Sequence, residues 1–233
     1  MSAPRYAIYF APQLDSPLWR LGSAVLGYDA VSGEDVPFLV PGGQDEGAWP
    51  VLTAEPRRYG FHATLKAPFE LAQGRSEGEL RAFARNYALG AKTVTLTGLK
   101  VTALGRFVAL TPAEDSEALQ DLAFNIVQAF ERFRAPLSEA DLARRLQTPL
   151  TPAQRAYLEA YGYPYVGDAF RFHMTLTGSL PETAVQPVRE ALMAAYAEAV
   201  QSGPVAIDRF AIYRQETRDS RFRIVDAFTL APA

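Results

Sequence analysis

The chain opens on an alternating run, Arg5-Tyr6-Ala7-Ile8-Tyr9-Phe10, which predicts a strand closed by Pro12. Asp15 or Ser16 then caps a helix with Pro17 in its first turn, where the missing proline N–H removes no intrahelical bond. Residues 31–58 are rich in Gly, Pro and acidic side chains and read as loop. A strand is predicted over about 59–67, and Ser76-Glu77-Gly78-Glu79 has the pattern of a capping box that starts a helix to about Leu89. Residues 93–103 alternate as a strand, and Gly105-Arg106 can turn the chain into a second one over 107–111. The middle, 114–163, reads as helical: Leu119, Leu122, Phe124, Ile126, Val127, Phe130 and Phe133 fall close to one helical face, Ser138 caps a short segment, and Thr151-Pro152 opens another. A strand over 170–178 follows, then a helix with Pro187 in its first turn that reaches about Val200. Strands at about 205–214 and 221–230 form a final hairpin.

Residues 59–111 and 169–230 share one order: a strand with a histidine, a helix, a strand, a strand. This order predicts a single bilobal domain over 1–233 of class α+β. In it two antiparallel-rich sheets, related by an approximate twofold, flank a central cleft with helices outside.

Composition narrows the function classes. The 233 residues are 48% hydrophobic and 21% charged, which suits a globular domain with a core. No apolar run approaches a membrane helix, and Met1-Ser2-Ala3-Pro4-Arg5 leads into an alternating segment, not a signal-peptide block. Cysteine is absent, which excludes disulfides, thiolate nucleophiles and cysteine-bound metal and fits a cytoplasmic protein. The net charge of −3 argues against a long polyanionic partner. A small phosphate ester needs only a few local donors, so it is the expected partner. An RNA end is compatible with the same chemistry; no membrane and no protein partner are expected.

The chain has two histidines, and both sit in Phe-His-x-Thr-Leu: Phe61-His62-Ala63-Thr64-Leu65 and Phe172-His173-Met174-Thr175-Leu176. Side chains at i and i+2 share a strand face. Gly60, His62, Thr64 and Lys66 therefore fall together, as do Arg171, His173, Thr175 and Thr177, each set opposite an apolar face. One such strand is ordinarily a polar face meeting water. Two copies that use every histidine and share the same flanks point to a joint site. Imidazole ionises near neutrality, so one neutral and one protonated ring can act as base and acid on opposite sides of a phosphorus. Thr64 and Thr175 can donate to the non-bridging oxygens as charge builds there. Such a scheme needs no metal and no cofactor.

Lys66 and Arg171 are candidates for a second phosphate or a carboxylate, and Tyr9, Tyr59 and Tyr213 for stacking or phosphate binding, each set against an ordinary packing role. Thr177 reads as a cleft-wall or structural residue. Arg57-Arg58 and Arg144-Arg145 read as solvated faces that can form an anion-attracting rim. Gly42-Gly43 lacks the phosphate-loop pattern and reads as a turn, and no Gly-x-Gly-x-x-Gly is present.

At the paired His-x-Thr motifs the chain resembles the two-histidine phosphoesterase superfamily, whose members include cyclic nucleotide phosphodiesterases and RNA-end-processing enzymes. The resemblance implies a duplicated bilobal fold, catalytic roles for His62 and His173, and phosphate binding by Thr64 and Thr175. The wording from Arg57 to Phe69, at Gly162-Tyr163-Pro164-Tyr165-Val166, and from Phe170 to Gly178 is similar to a bacterial subgroup of undefined activity, described in terms of phosphonate metabolism. The function expected is metal-independent hydrolysis or ring opening of a small cyclic phosphate or phosphodiester. One alternative is a non-catalytic module that binds a phosphorylated metabolite or RNA end. Another is a metal hydrolase, for which threonine neighbours are poor ligands.

Overall fold

The computed structural model describes residues 3–233. The first strand is β1 (Arg5–Phe10), and helix α1 (Pro17–Leu26) follows with Ser16 as its cap, the Ser16 side chain accepting from the Trp19 N–H. The segment expected to be loop carries a small hairpin, β2 (Tyr28–Asp29) with β3 (Glu34–Asp35), and two single-turn helices, α2 (Trp49–Leu52) and α3 (Ala54–Arg57). Burial of Trp49, whose indole N–H donates to the Val25 carbonyl at 2.9 Å, anchors this otherwise polar stretch. The first histidine motif leads into β4 (Ala63–Glu70), and α4 (Glu77–Gly90) begins at the expected capping box. Next come β5 (Val94–Leu96), β6 (Leu99–Leu104) and β7 (Phe107–Pro112), then α5 (Glu117–Phe130), α6 (Glu139–Arg145) and α7 (Pro152–Tyr161). The second half holds β8 (Met174–Thr175), α8 (Glu182–Ala199), β9 (Val205–Ile207), β10 (Arg209–Gln215) and β11 (Arg223–Thr229). Helix α8 starts after Pro181, so Pro187 lies inside it rather than in its first turn.

The fold is α+β. Its main sheet has the order β11-β10-β1-β4-β8-β7-β6, with antiparallel neighbours throughout. The two sheets expected from the sequence are its two arms, and a single residue pair, Ala63 with Met174, joins them. Each histidine motif therefore enters the sheet at the seam. Strands from the two halves exchange sides: β8 pairs with β7 from the first half, and the arm of β4 is completed by β1, β10 and β11. Strands β5 and β9, at equivalent places in the repeated order, pair with each other. The sheet order is not a strict twofold, because β1 intervenes between β4 and β10 whereas β7 lies directly against β8.

Helix α8 packs on β6 and β7, α5 on β4, and α4 on β11. Their apolar faces bury Leu80, Ala84, Ile126, Phe130, Val188 and Leu192 against Ile8, Phe69, Val108, Leu110 and Phe210. Helix α1 contributes Val25 and Leu26 to the same core. At Gly22 a Cβ would lie 2.1 Å from the Phe61 ring, so glycine there lets the residue before His62 press flat on the helix.

Candidate active site

The two histidines are held by one device used twice. His62 Nδ1 lies 2.8 Å from the Gly60 carbonyl, and His173 Nδ1 lies 2.7 Å from the Arg171 carbonyl. A carbonyl only accepts, so Nδ1 carries the proton in both rings and Nε2 is left as the working atom. Gly60 is essential to the first copy. Its φ of +73° is in the left-handed region, and a Cβ there would lie 2.7 Å from that of Ala30.

Continuing the Ala63–Met174 pairing by one residue each way sets His62 opposite Thr175 and Thr64 opposite His173. Diagonal partners on antiparallel strands are roughly 7–8 Å apart, a gap that suits a tetrahedral phosphate between two rings. All four side chains line one cavity of about 840 Å³, which also meets Tyr9, Tyr59 and Tyr163. That volume is in the range of small-molecule sites, roughly 300–1,000 Å³.

The two rings are not equivalent. His62 stacks on Tyr9 with ring centroids 3.8 Å apart, and the rings of Tyr213 and Tyr59 stand at 6.0 and 6.1 Å. This aromatic enclosure strips water from the imidazole and pushes its pKa down to about 4; the Gly60 hydrogen bond opposes the shift, and repulsion from His173 adds to it. His62 is therefore neutral at pH 7, and its Nε2 accepts from the Thr64 hydroxyl at 3.3 Å. Among the described residues His173 has one aromatic neighbour, Phe107, at 5.9 Å.

Of the other residues expected at the site, Tyr59 lines the cleft and stacks on Phe222 with centroids 5.4 Å apart. Lys66 does not reach it. Tyr9 pairs with Thr64, and the next β1 residue, Ile8, pairs with Lys66, so Leu65 is an extra residue that breaks the period-two alternation. Lys66 is instead buried at 3% exposure, donating to Glu131 at 2.8 Å and to the Val127 carbonyl at 3.1 Å, while Ala67 and Pro68 return to the cleft wall. Arg171 also points elsewhere. The expected strand over 170–178 is reduced to Met174–Thr175, so strand alternation does not apply at Arg171, whose guanidinium donates to the Asp168 and Phe170 carbonyls. Its backbone carbonyl, not its charge, serves the site. Tyr213 is fully buried on β10, with β1 between it and β4, and its hydroxyl donates to the Phe61 carbonyl at 3.3 Å. Thr177 is structural, accepting from the Val108 N–H and donating to the Gly178 carbonyl.

The arginine rim is partly as expected. Arg58, Arg144 and Arg145 face the cleft, whereas Arg57 turns inward to the Leu26 and Pro50 carbonyls and the Thr53 hydroxyl. Arg5, Arg218 and Tyr163 also line the cleft, and the sequence reading did not single them out as site residues. Tyr163 stood within the subgroup wording; nothing local marked Arg5 or Arg218. Among the described residues, no three His, Cys, Asp or Glu side chains converge as a metal ligand set. No helix is long and apolar enough to cross a membrane among the described residues.

Two curated relatives share the name "Ribose 1,5-bisphosphate phosphokinase PhnN". The protein from Janthinobacterium sp. (strain Marseille) is 40% identical over 218 residues, 92% of this chain and 48% of its own length. The protein from Laribacter hongkongensis (strain HLHK9) is 34% identical over 224 residues, 94% of this chain and 50% of its own. The chain thus spans about half the length of these relatives. Among solved structures, E. coli LigT complexed with 3′-AMP is 14% identical over 99% of both chains with a TM-score of 0.49, and TT0787 of Thermus thermophilus is 16% identical over 97% of both with a TM-score of 0.43. At these levels no function passes from those proteins to this chain. The family described as "Protein of unknown function (DUF1045)" matches residues 64–223, which include Thr64, the arginine-bearing helix α6 and the whole second histidine motif, and the chain belongs to that family.

Proposed function

We propose that the chain is a metal-independent phosphoesterase that opens a small cyclic phosphate or phosphodiester by general acid and base catalysis between His62 and His173. The observation that carries this reading is the pair of imidazoles lining one cleft, each locked through Nδ1 so that Nε2 is the nitrogen left to exchange a proton; the Thr64 hydroxyl that bonds His62 Nε2 at rest turns to the phosphate when substrate enters. Burial supports one assignment of the roles. His62 is held neutral, so its Nε2 takes the proton from water as the water oxygen bonds to phosphorus. The ester P–O bond breaks on the far side, and His173, protonated at Nε2, gives its proton to the departing oxygen. The product is the ring-opened monoester, and proton exchange with solvent resets both rings. Thr64 and Thr175, between the rings, donate to the non-bridging oxygens. The relatives' name refers to a phosphorylated ribose, which favours a ribosyl cyclic phosphate among the candidate substrates.

The test is a product-resolved assay of the purified chain on a panel of cyclic phosphates, with and without exhaustive chelation. Ring-opened product at undiminished rate after chelation supports the reading; tight binding with no product from any member of the panel removes it. Two further outcomes are expected of any substrate found. Protonation of His62 removes the base, so kcat/KM stays flat down to about pH 5, then falls about tenfold per unit as pH drops through about 4. An acid limb centred near 6.5, the ordinary value of an imidazole, would contradict the role assigned to His62. Replacing Thr64 or Thr175 with valine keeps the shape and is expected to lower kcat by roughly 10²-fold or less, with a smaller change in KM. An unchanged kcat in both variants would show that the hydroxyls do not meet the transition state.

A further inference from the structure

The wall of the cleft formed by β1, α6 and the turn after β10 carries more positive charge than its own carboxylates balance. Arg218 meets Asp141 at 2.8 Å and Glu70 at 2.9 Å, and Arg144 meets the same Asp141 at 2.6 Å, so one carboxylate serves two guanidinium groups. Among the described residues, the Arg5 guanidinium has no carboxylate partner: it donates to the neutral Gln215 side-chain oxygen, at 2.9 Å from its Nε, and lies over the Phe222 ring at 5.5 Å. Arg58 donates to the Arg218 carbonyl. Arg145 lies over the Tyr163 ring at 5.0 Å, and its Nε is buried without a hydrogen-bond partner among the described residues. Burial lowers the pKa of both Arg5 and Arg145, a sign of charge held where its own protein compensates it poorly.

We propose that this arginine wall is a second anion site, which holds a phosphomonoester carried by the same small molecule whose ester the histidines open. Its place in a reaction rests on the phosphoesterase reading; its capacity to bind phosphate does not. A phosphomonoester suits the wall because it brings close to two negative charges and several acceptor oxygens, matched to guanidinium forks and to an Nε that lacks an acceptor. The charge is compact. Arg5, Arg144, Arg145 and Arg218 also line an adjoining recess of about 120 Å³, so the same groups surround one small volume instead of following a groove. A nucleic-acid strand needs successive phosphate contacts along its length, and a chain of net charge −3 offers no such track. Fixing the far phosphate in the wall supplies binding energy from a non-reacting group, which orients the reacting phosphorus between the rings. The substrate class is a small molecule with a cyclic phosphodiester at one end and a separate phosphomonoester at the other.

The test is calorimetric titration of inorganic phosphate into the wild-type chain, the His62→Ala/His173→Ala double variant and Arg145→Gln, with Arg155→Gln on the exposed face of α7 as control. The double variant is expected to retain one phosphate site whose affinity falls as NaCl is raised. Arg145→Gln is expected to weaken that site roughly ten- to hundredfold, Arg145→Lys to fall between, and Arg155→Gln to leave it unchanged. Circular dichroism checks that each variant is folded, and the lysine variant keeps the test decisive if the glutamine variant is not. Loss of phosphate binding in the folded double variant, or wild-type affinity in a folded Arg145 variant, would overturn the proposal. Turnover separates the two readings. Adenosine 2′,3′-cyclic phosphate and its 5′-phosphorylated derivative are compared, and a higher kcat/KM for the latter, lost in Arg145→Gln, supports both. Phosphate held by the double variant, with no turnover of any cyclic ester by wild type, supports the arginine site and overturns the hydrolase.

Discussion

Replacing either His62 or His173 with alanine is expected to lower kcat/KM by roughly 10²–10⁴-fold, the share that a positioned acid or base contributes. The two rings act on one phosphorus in one step, so the losses do not add: the double variant is expected to be little worse than the poorer single variant. Both rings line an open cleft, and among the described residues neither forms a charge pair whose loss would orphan a partner. Thermal midpoints of the variants should therefore stay near that of wild type. His62→Ala removes a ring stacked on Tyr9 and is the more destabilising of the two. The measurement is steady-state kinetics beside a thermal melt. A His62→Ala protein that turns over at the wild-type rate would remove the base from the scheme and, with it, the asymmetry assigned to the two rings.

The second large effect is on stability and leaves the chemistry alone. Lys66 is 3% exposed and its ammonium is satisfied by Glu131 and by the Val127 carbonyl at the end of α5. Glu131 also binds Arg134, so one carboxylate ties β4 to the turn after α5. Glu131→Gln leaves a buried ammonium without its counter-charge and is expected to destabilise the fold by about 3 kcal/mol, the lower part of the range for breaking a buried pair because Glu131 is itself 26% exposed. Lys66→Met, which removes the charge and keeps the length, is expected to be nearly neutral, and adding it to Glu131→Gln should recover most of the loss. The pH dependence fixes the sign. Burial already lowers the Lys66 pKa below 10.5, and losing Glu131 lowers it further, so the unfolded chain binds more protons than the folded one. Stability of Glu131→Gln should therefore rise with pH between the depressed folded pKa and 10.5, as the buried lysine sheds its proton. Urea midpoints at pH 7 and pH 10 check this. An equal loss at both pH values, or in Lys66→Met alone, would mean that packing and not charge is at stake. A fall in kcat/KM of folded Lys66→Met would return Lys66 to the substrate site from which the structure removes it.

Lys66 shows how far strand periodicity carries. The alternation that puts His62 and Thr64 on one face is local and holds as far as Leu65, which is inserted against β1 as an extra residue. Whether a bulge forms there depends on a partner strand more than fifty residues away, and no pattern within the Phe-His-x-Thr-Leu segment announces it. The caps behave in the opposite way. Ser16, Ser76, Ser138 and Thr151 each accept from a backbone N–H three residues on, and they were legible, Ser16 as one of two candidates beside Asp15, because donor and acceptor are neighbours in the chain. Segment 31–58 lies between these cases: its polar composition reads as loop, yet burial of Trp49 orders two short helices within it.

By itself the sequence determined the α+β class and the identity of the two imidazoles and two hydroxyls that meet in the cleft; it also placed a helix after each histidine motif, but the single strands expected at 93–103 and about 205–214 are each split in two, β5 with β6 and β9 with β10. The class and the four side chains follow from short-range periodicity and from a pentapeptide pattern that occurs twice and uses every histidine. Tertiary structure alone decided which ring is enclosed by Tyr9, Tyr59 and Tyr213, which arginines from positions 5 to 218 converge on one wall, and which charged side chain of the first histidine strand is turned into the core. Those outcomes depend on desolvation and on the distance between charges, quantities set by segments remote in sequence and brought together only when the sheet closes across its seam.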